Sequence, residues 1–231
     1  MWPFLLAMQH PTPEALVGLW RMDLWIGTQV ELPVFGVSKV ASHQIVLGRI
    51  EVGADGLEMV HEVCLVEAVP RGGLSKTVIP LAFSKAVPVR RYPITVEVVD
   101  GVLRYTADPG PMVVGYDPVA SGGRVPTTAE DPSVRDFEGD GKPAATFLVE
   151  LPLGGMVEVY TVQSSQTHYA GQGKADRIAG TLQVRDLVQQ TVGASNRLFA
   201  ISPKVSADPA NSTFLMTRAP AGTTCERLRG G

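Results

Sequence analysis

"PITVEVVDGVLRYTA", residues 93 to 107, decides how the chain should be read. Ile94, Val96 and Val98 alternate with Thr95 and Glu97, the period of two that puts apolar side chains on one face of a strand and polar ones on the other. Asp100 and Gly101 then interrupt the run. Asp-Gly between two alternating segments is a strong hairpin signal, because both residues tolerate positive φ. The same punctuation recurs at "GADG" (53 to 56), between "HQIVLGRIEV" (43 to 52) and "LEMVHEVCLVEAV" (57 to 69). Neighbouring antiparallel strands in a meander are the economical topology, and the second of these runs, apolar on both faces, is expected to be a central strand.

Working outward, further strands are expected at "TVIPLAF" (77 to 83), "ATFLVEL" (145 to 151), "MVEVYTVQSS" (156 to 165), "IAGTLQVRDLVQQ" (178 to 190) and "STFLMTR" (212 to 218). Gly180 and the Val/Thr content favour strand over helix in the fourth of these. Helix signals are sparse: "TPEAL" (12 to 16) supports one helical turn, with Thr12 as N-cap and Pro13 at the first helical position. The expected fold class is all-β: a single antiparallel β-barrel or closely related sandwich over residues 1–231. It carries a lead-in segment at 1–17, a long irregular loop at about 117–142 and a C-terminal tail at 219–231.

Bulk composition bounds the function. Of the 231 residues, 45% are hydrophobic and 19% charged, so the chain can bury a core and fold as a globule. A formal net charge of -3 and the absence of any Lys/Arg run remove the electrostatic footprint of nucleic-acid binding. No apolar run is long enough to span a membrane. The opening "MWPFLLAMQH" has an apolar centre without a basic start or a small-residue cleavage site, and reads as a buried lead-in strand or the stub of a secretion signal. Cys64 and Cys225 stand far apart and outside any C-x-x-C pair, so the alternatives are one disulfide clamping the tail to the body or two buried thiols. The acidic loop, the cysteine count and the low lysine content favour export.

The long loop ends in "DFEGDGKPA" (136 to 144). Asp136, Glu138 and Asp140 occupy alternate positions ahead of Gly141, the spacing by which calcium loops converge hard oxygen ligands, and Lys142 would add its backbone carbonyl. Ala144 and Phe147 stand where an EF-hand has its later ligands. From Asp136 to Pro143 the stretch resembles the D-x-D-x-D-G-x-P loops of extracellular bacterial proteins, including the FG-GAP repeat of integrin-like propellers. That resemblance implies calcium, though without internal repeats it does not imply a propeller. The alternative is an acidic solvated turn.

"GLW" (18 to 20) follows the helical turn and opens a strand-like run, while "FLMTR" (214 to 218) ends in Arg. This resembles the lipocalin or calycin pattern. The resemblance implies that Arg218 from the last strand stacks across Trp20 and closes the barrel floor, as a structural pair rather than a catalytic one. A core Trp with a surface Arg is the alternative, and Trp25 is a rival for the indole position.

Catalytic signatures are largely missing: there is no G-x-S-x-G, H-E-x-x-H, P-loop or G-x-G-x-x-G. His61 and Glu62 fall on opposite faces of an extended strand and cannot readily share a proton or a metal. Three functions follow as expectations. The first is a non-enzymatic, calycin-like binding protein for a small apolar ligand; the second is an exported structural or surface-interaction protein with a calcium-ordered loop. The third is a hydrolase with a dispersed site near His168, in "QSSQTHY" (163 to 169).

Overall fold

The computed structural model describes residues 12–32, 36–70, 76–151 and 154–230; residues 1–11, on which the lead-in or secretion-signal expectation falls, lie outside them. In chain order the strands are β1 (Gly18–Leu32), β2 (Gly36–Gly53), β3 (Gly56–Pro70), β4 (Lys76–Val78), β5 (Arg90–Val99), β6 (Val102–Ala107), β7 (Pro111–Val114), β8 (Ala145–Glu150), β9 (Met156–Lys174), β10 (Arg177–Ala194), β11 (Lys204–Ala207) and β12 (Thr213–Arg218). The helices are α1 (Leu81–Ala86) and α2 (Cys225–Arg229), with 3-10 turns at Pro13–Leu16, Arg197–Phe199 and Pro209–Asn211.

β1, β2, β3, β5, β6, β9, β10 and β12 pair in that order, all antiparallel, and β12 returns to β1. The sheet is thus a closed ring, which removes the edges that an open sheet would expose. The 93–107 hairpin forms as its alternation requires: Val99 faces Val102, and Asp100 and Gly101 turn with φ of 52° and 76°. β3 lies between β2 and β5 and is covered on both faces, as its two-sided apolar run demands: Met59 joins the ring's interior core, and Cys64 an outer cluster with Ile45, Cys225 and Leu228.

One strand expected from sequence runs into a helix instead. Within residues 77–83 only Thr77 and Val78 belong to a strand; Pro80 caps α1 in an extended conformation, and Leu81–Ala86 is rich in good helix formers. The switch serves the ring. Among the described residues β5 pairs with β3 only over Glu58–His61, and α1 lies along the part of β3 beyond that pairing. Ser84 Oγ accepts the Val66 amide at 2.9 Å, so a side chain replaces a ladder bond. Phe83 fills the space beneath, against Phe137 and Phe147 at ring-centroid distances of 5.3 Å each.

The interior has two halves. Around Trp20 it is filled by Met22, Leu24, Val46, Ile50, Met59, Leu103, Ile178, Leu182, Phe214 and Met216, all at or near zero exposure. Further along β1, β2, β9 and β10, Leu24 gives way to Ile26 and Thr28, Val46 to Gln44 and Ser42, Tyr169 to Thr167, and Leu182 to Val184, all partly exposed, whereas Val66, opposite Gln44 on β3, stays buried in a second cluster with Phe83, Val87, Val114 and Ala145. Inward orientation follows from the strand period of two and the unbroken register at these positions.

Candidate functional site

At the closed end, Arg218 on β12 faces Trp20 on β1 in register, with Cζ 4.2 Å from the indole centroid. The guanidinium donates to the carbonyls of Ala15, Leu16, Val17 and Ala175, and Trp20 Nε1 donates to Leu16 O at 2.8 Å. One cation therefore ties the 3-10 turn, the first strand and the β9–β10 turn together. Gly18 is required here: its φ is 131°, and a Cβ would lie 2.9 Å from Arg218 Nη1. Trp25 is not in this position. It stacks on His43 outside the ring, where His43 Nε2 meets Asp23 Oδ1 at 3.0 Å.

Cys64 and Cys225 form a disulfide, which fixes α2 against the outer face of β2 and β3. It closes a separation of 161 residues; a loop of that length corresponds to roughly 2–5 kcal/mol of stabilisation. Arg229 adds a bond to Cys64 O at 3.2 Å.

The 115–144 segment has no regular strand or helix apart from one bridge between Tyr116 and Val134. Asp136, Glu138 and Asp140 each offer a carboxylate oxygen within 4.8 Å of the others. Against the burial that would raise it, the amides of Gly141, Gly139 and Asp140 hold the Asp136 carboxyl below its ordinary value. Glu138 behaves oppositely: burial pushes its pKa up, and although Oε1 accepts the Thr146 amide at 3.0 Å, Oε2 is buried without a hydrogen-bond partner among the described residues. Asp140 Oδ2 accepts Thr146 Oγ1 at 2.9 Å, which joins the cluster to β8. The Lys142 ammonium pairs with Glu158 on β9. His168 lies on β9 next to Tyr169 but with the opposite parity, near Asp108, which bonds Gln166.

Sequence reasoning missed a polar cluster inside the ring. His61 on β3, Tyr92 on β5, Tyr105 on β6 and Tyr169 on β9 come together there: His61 Nδ1 lies 2.9 Å from Tyr92 Oη, and the two neighbouring phenols act electrostatically on Tyr92. Burial, with a contribution from the Arg90 charge, lowers the His61 pKa to about 4, so the imidazole is neutral at pH 7. Burial raises all three tyrosines, which stay protonated. Tyr105 is wholly buried, and its hydroxyl interacts with that of Tyr92. The available signal was parity: His61 occupies the inward series Met59, His61, Val63, a polar residue among apolar ones.

Two hollows of about 270 and 420 Å³ lie elsewhere, the first beside Cys225 and Glu226, the second between β10 and β11, and neither is lined by these four rings. Among the described residues no helix is long and apolar enough to cross a membrane. Comparison with known protein families, with curated proteins and with solved structures finds no match.

Proposed function

We propose that the protein is a non-enzymatic, calycin-like binding barrel that takes a small, mostly apolar ligand into the half of its interior farther from Trp20. The observation that carries this is the contrast in filling: the half around Trp20 and Arg218 is packed and cannot hold a guest, whereas the inward residues beyond it are partly exposed on four strands. A closed ring with one sealed end and mixed apolar and hydroxyl lining at the other suits a small molecule better than a macromolecular surface. The disulfide supports an extracytoplasmic, oxidising compartment. The test is calorimetric titration with decanol, an apolar body with a minimal polar end. Saturable one-to-one binding is expected, and its absence would sink the proposal.

A second reading has its own support. The convergence of three carboxylates with a buried Glu138 oxygen that has no hydrogen-bond partner among the described residues favours calcium as the organiser of the 115–144 loop. Calcium then holds architecture and takes no part in chemistry. The melting midpoint is expected to rise in millimolar calcium and to fall back with chelator, because a ligand bound only by the native state stabilises it. The rise should shrink as pH drops, since Glu138, with its raised pKa, takes up a proton in competition with the ion. An unchanged midpoint at neutral pH removes this reading.

A further inference from the structure

The C-terminal tail is tied to the barrel at few points. Ala219 still donates its amide to Leu19 O at 2.9 Å, but the backbone of residues 220–230 makes no hydrogen bond to the barrel among the described residues. Its turns close on themselves: Thr223 bonds back to Pro220, and Arg227 and Leu228 bond back to Thr224. What holds α2 on the outer face of β2 and β3 is the Cys64–Cys225 bond, the buried Leu228 side chain and one bond from Arg229 to Cys64 O. A helix of five residues has no stability of its own in water.

We infer that Cys225 is a thiol–disulfide exchange site entered by a small thiol, and that its bond to Cys64 is a latch whose opening releases the tail while the barrel stays closed.

Three observations converge on that chemistry. The first is access. A hollow of about 270 Å³ opens between β3, α1 and α2, and Cys225 belongs to its lining whereas Cys64 does not. Cys64 is wholly buried and Cys225 keeps 5% of its surface. Exchange depends on which sulfur a thiolate can reach, so attack falls on Cys225 and Cys64 is the leaving group.

The second is charge. Glu62, Lys85, Glu226 and Arg229 line the hollow with two charges of each sign, and Arg229 pairs with Glu226 at 2.7 Å. An incoming thiolate meets no net repulsion there.

The third is independence. The ladders that close the ring, and the Trp20–Arg218 contact at its sealed end, involve no residue beyond Arg218. Severing the tail therefore leaves the closure of the barrel in place.

The reaction is two exchanges. A thiolate attacks Cys225 Sγ, the S–S bond breaks, and Cys64 leaves as a thiolate that takes up a proton, with the small thiol held on Cys225 as a mixed disulfide. A second molecule of thiol then displaces the first, so that two thiols are oxidised to one disulfide while the protein disulfide gains two electrons. The tail is free after the first step. Ile45, Leu47 and Leu65, which pack against Cys225 and Leu228, are then uncovered. In an oxidising compartment the latch is closed.

The test incubates the folded protein with millimolar glutathione at pH 8. One aliquot is quenched with acid for peptide mass mapping; another is alkylated, then followed by limited trypsin digestion and by a melting curve. Glutathione is expected on Cys225 with Cys64 free, and cleavage after Arg227 should be at least about tenfold faster than in untreated protein, since a tail without its tie opens locally. The barrel should keep a cooperative melting transition. The double variant Cys64→Ser/Cys225→Ser should show the fast cleavage without any thiol, and glutathione should leave it unchanged. An adduct on Cys64, or reduction that occurs only in denaturant strong enough to unfold the barrel, overturns the exchange site. A tail as resistant in the double variant as in the untreated wild-type protein overturns the latch; if that variant does not fold, cleavage of the glutathione-treated wild-type protein decides the same point.

Discussion

The two halves of the barrel are built from the same strands and differ in what those strands carry inward. Around Trp20 the inward residues are large, apolar and fully buried, and the end is sealed by a cation that bonds four backbone carbonyls. On β1, β2, β9 and β10 the next inward residues are hydroxyls, an amide and smaller aliphatics that are partly exposed, beside the separate cluster around Phe83. The residues Ile26, Gln44, Thr167 and Val184 are thus less committed to packing than those around Trp20. Truncating Trp20 to Ala should be the most damaging change at the sealed end. It removes the largest fully buried side chain and the platform under Arg218, and a loss of about 3–5 kcal/mol is expected in a denaturant titration. A loss below about 1 kcal/mol would show that the sealed end does not carry the fold.

The boundary between the halves is sharpened by acid. His61 is held neutral in the native state with its pKa lowered to about 4, whereas in the unfolded chain it titrates near the ordinary value of 6.5. Between those values the unfolded state binds the extra proton. Its contribution is therefore fully favourable to the native state above pH 6.5 and is lost progressively as pH falls toward 4. At pH 5 the native state should be weaker by about 2 kcal/mol relative to neutral pH, and His61→Gln should remove that part of the slope. Chemical denaturation at pH 7 and pH 5 on both proteins measures it. A wild-type slope retained in the variant would place the acid sensitivity elsewhere.

The outline of the barrel was legible because it is written in local patterns. The alternation in 93–107, the Asp100–Gly101 turn and the two-sided apolar run of β3 each translate into one strand property. The Trp20 and Arg218 pair was reachable only through a resemblance, since 197 residues of intervening chain leave no periodic trace; the register of β1 on β12 brings them together. Two features were not legible. α1 was hidden in an apolar run that suits a strand until one knows that the β3 edge beside it has no paired strand among the described residues, and tertiary context overrode the pattern there. The His61 and tyrosine cluster draws one residue from each of four strands, so its members share neither a spacing nor a motif. In the 136–142 loop the sequence named three carboxylates that do converge, but not the burial of Glu138, which depends on the strands beneath it.

The smallest expected effect bears most directly on the difference between the halves. Thr167 and Tyr169 are inward neighbours on β9, paired across the sheet with Val184 and Leu182 on β10. Leu182 is fully buried, so Leu182→Ala leaves a cavity that the packed half cannot collapse around, and about 2–5 kcal/mol is expected to be lost. Thr167→Val keeps the shape and changes one partly exposed hydroxyl, and stability should move by no more than about 0.5 kcal/mol. If the distal half receives a ligand's chain, the same Thr167→Val change should alter decanol affinity while leaving the denaturation midpoint in place. A midpoint that falls as far for Thr167→Val as for Leu182→Ala would mean that the interior is packed along its whole length, and the distinction between a sealed half and a receiving half would be lost.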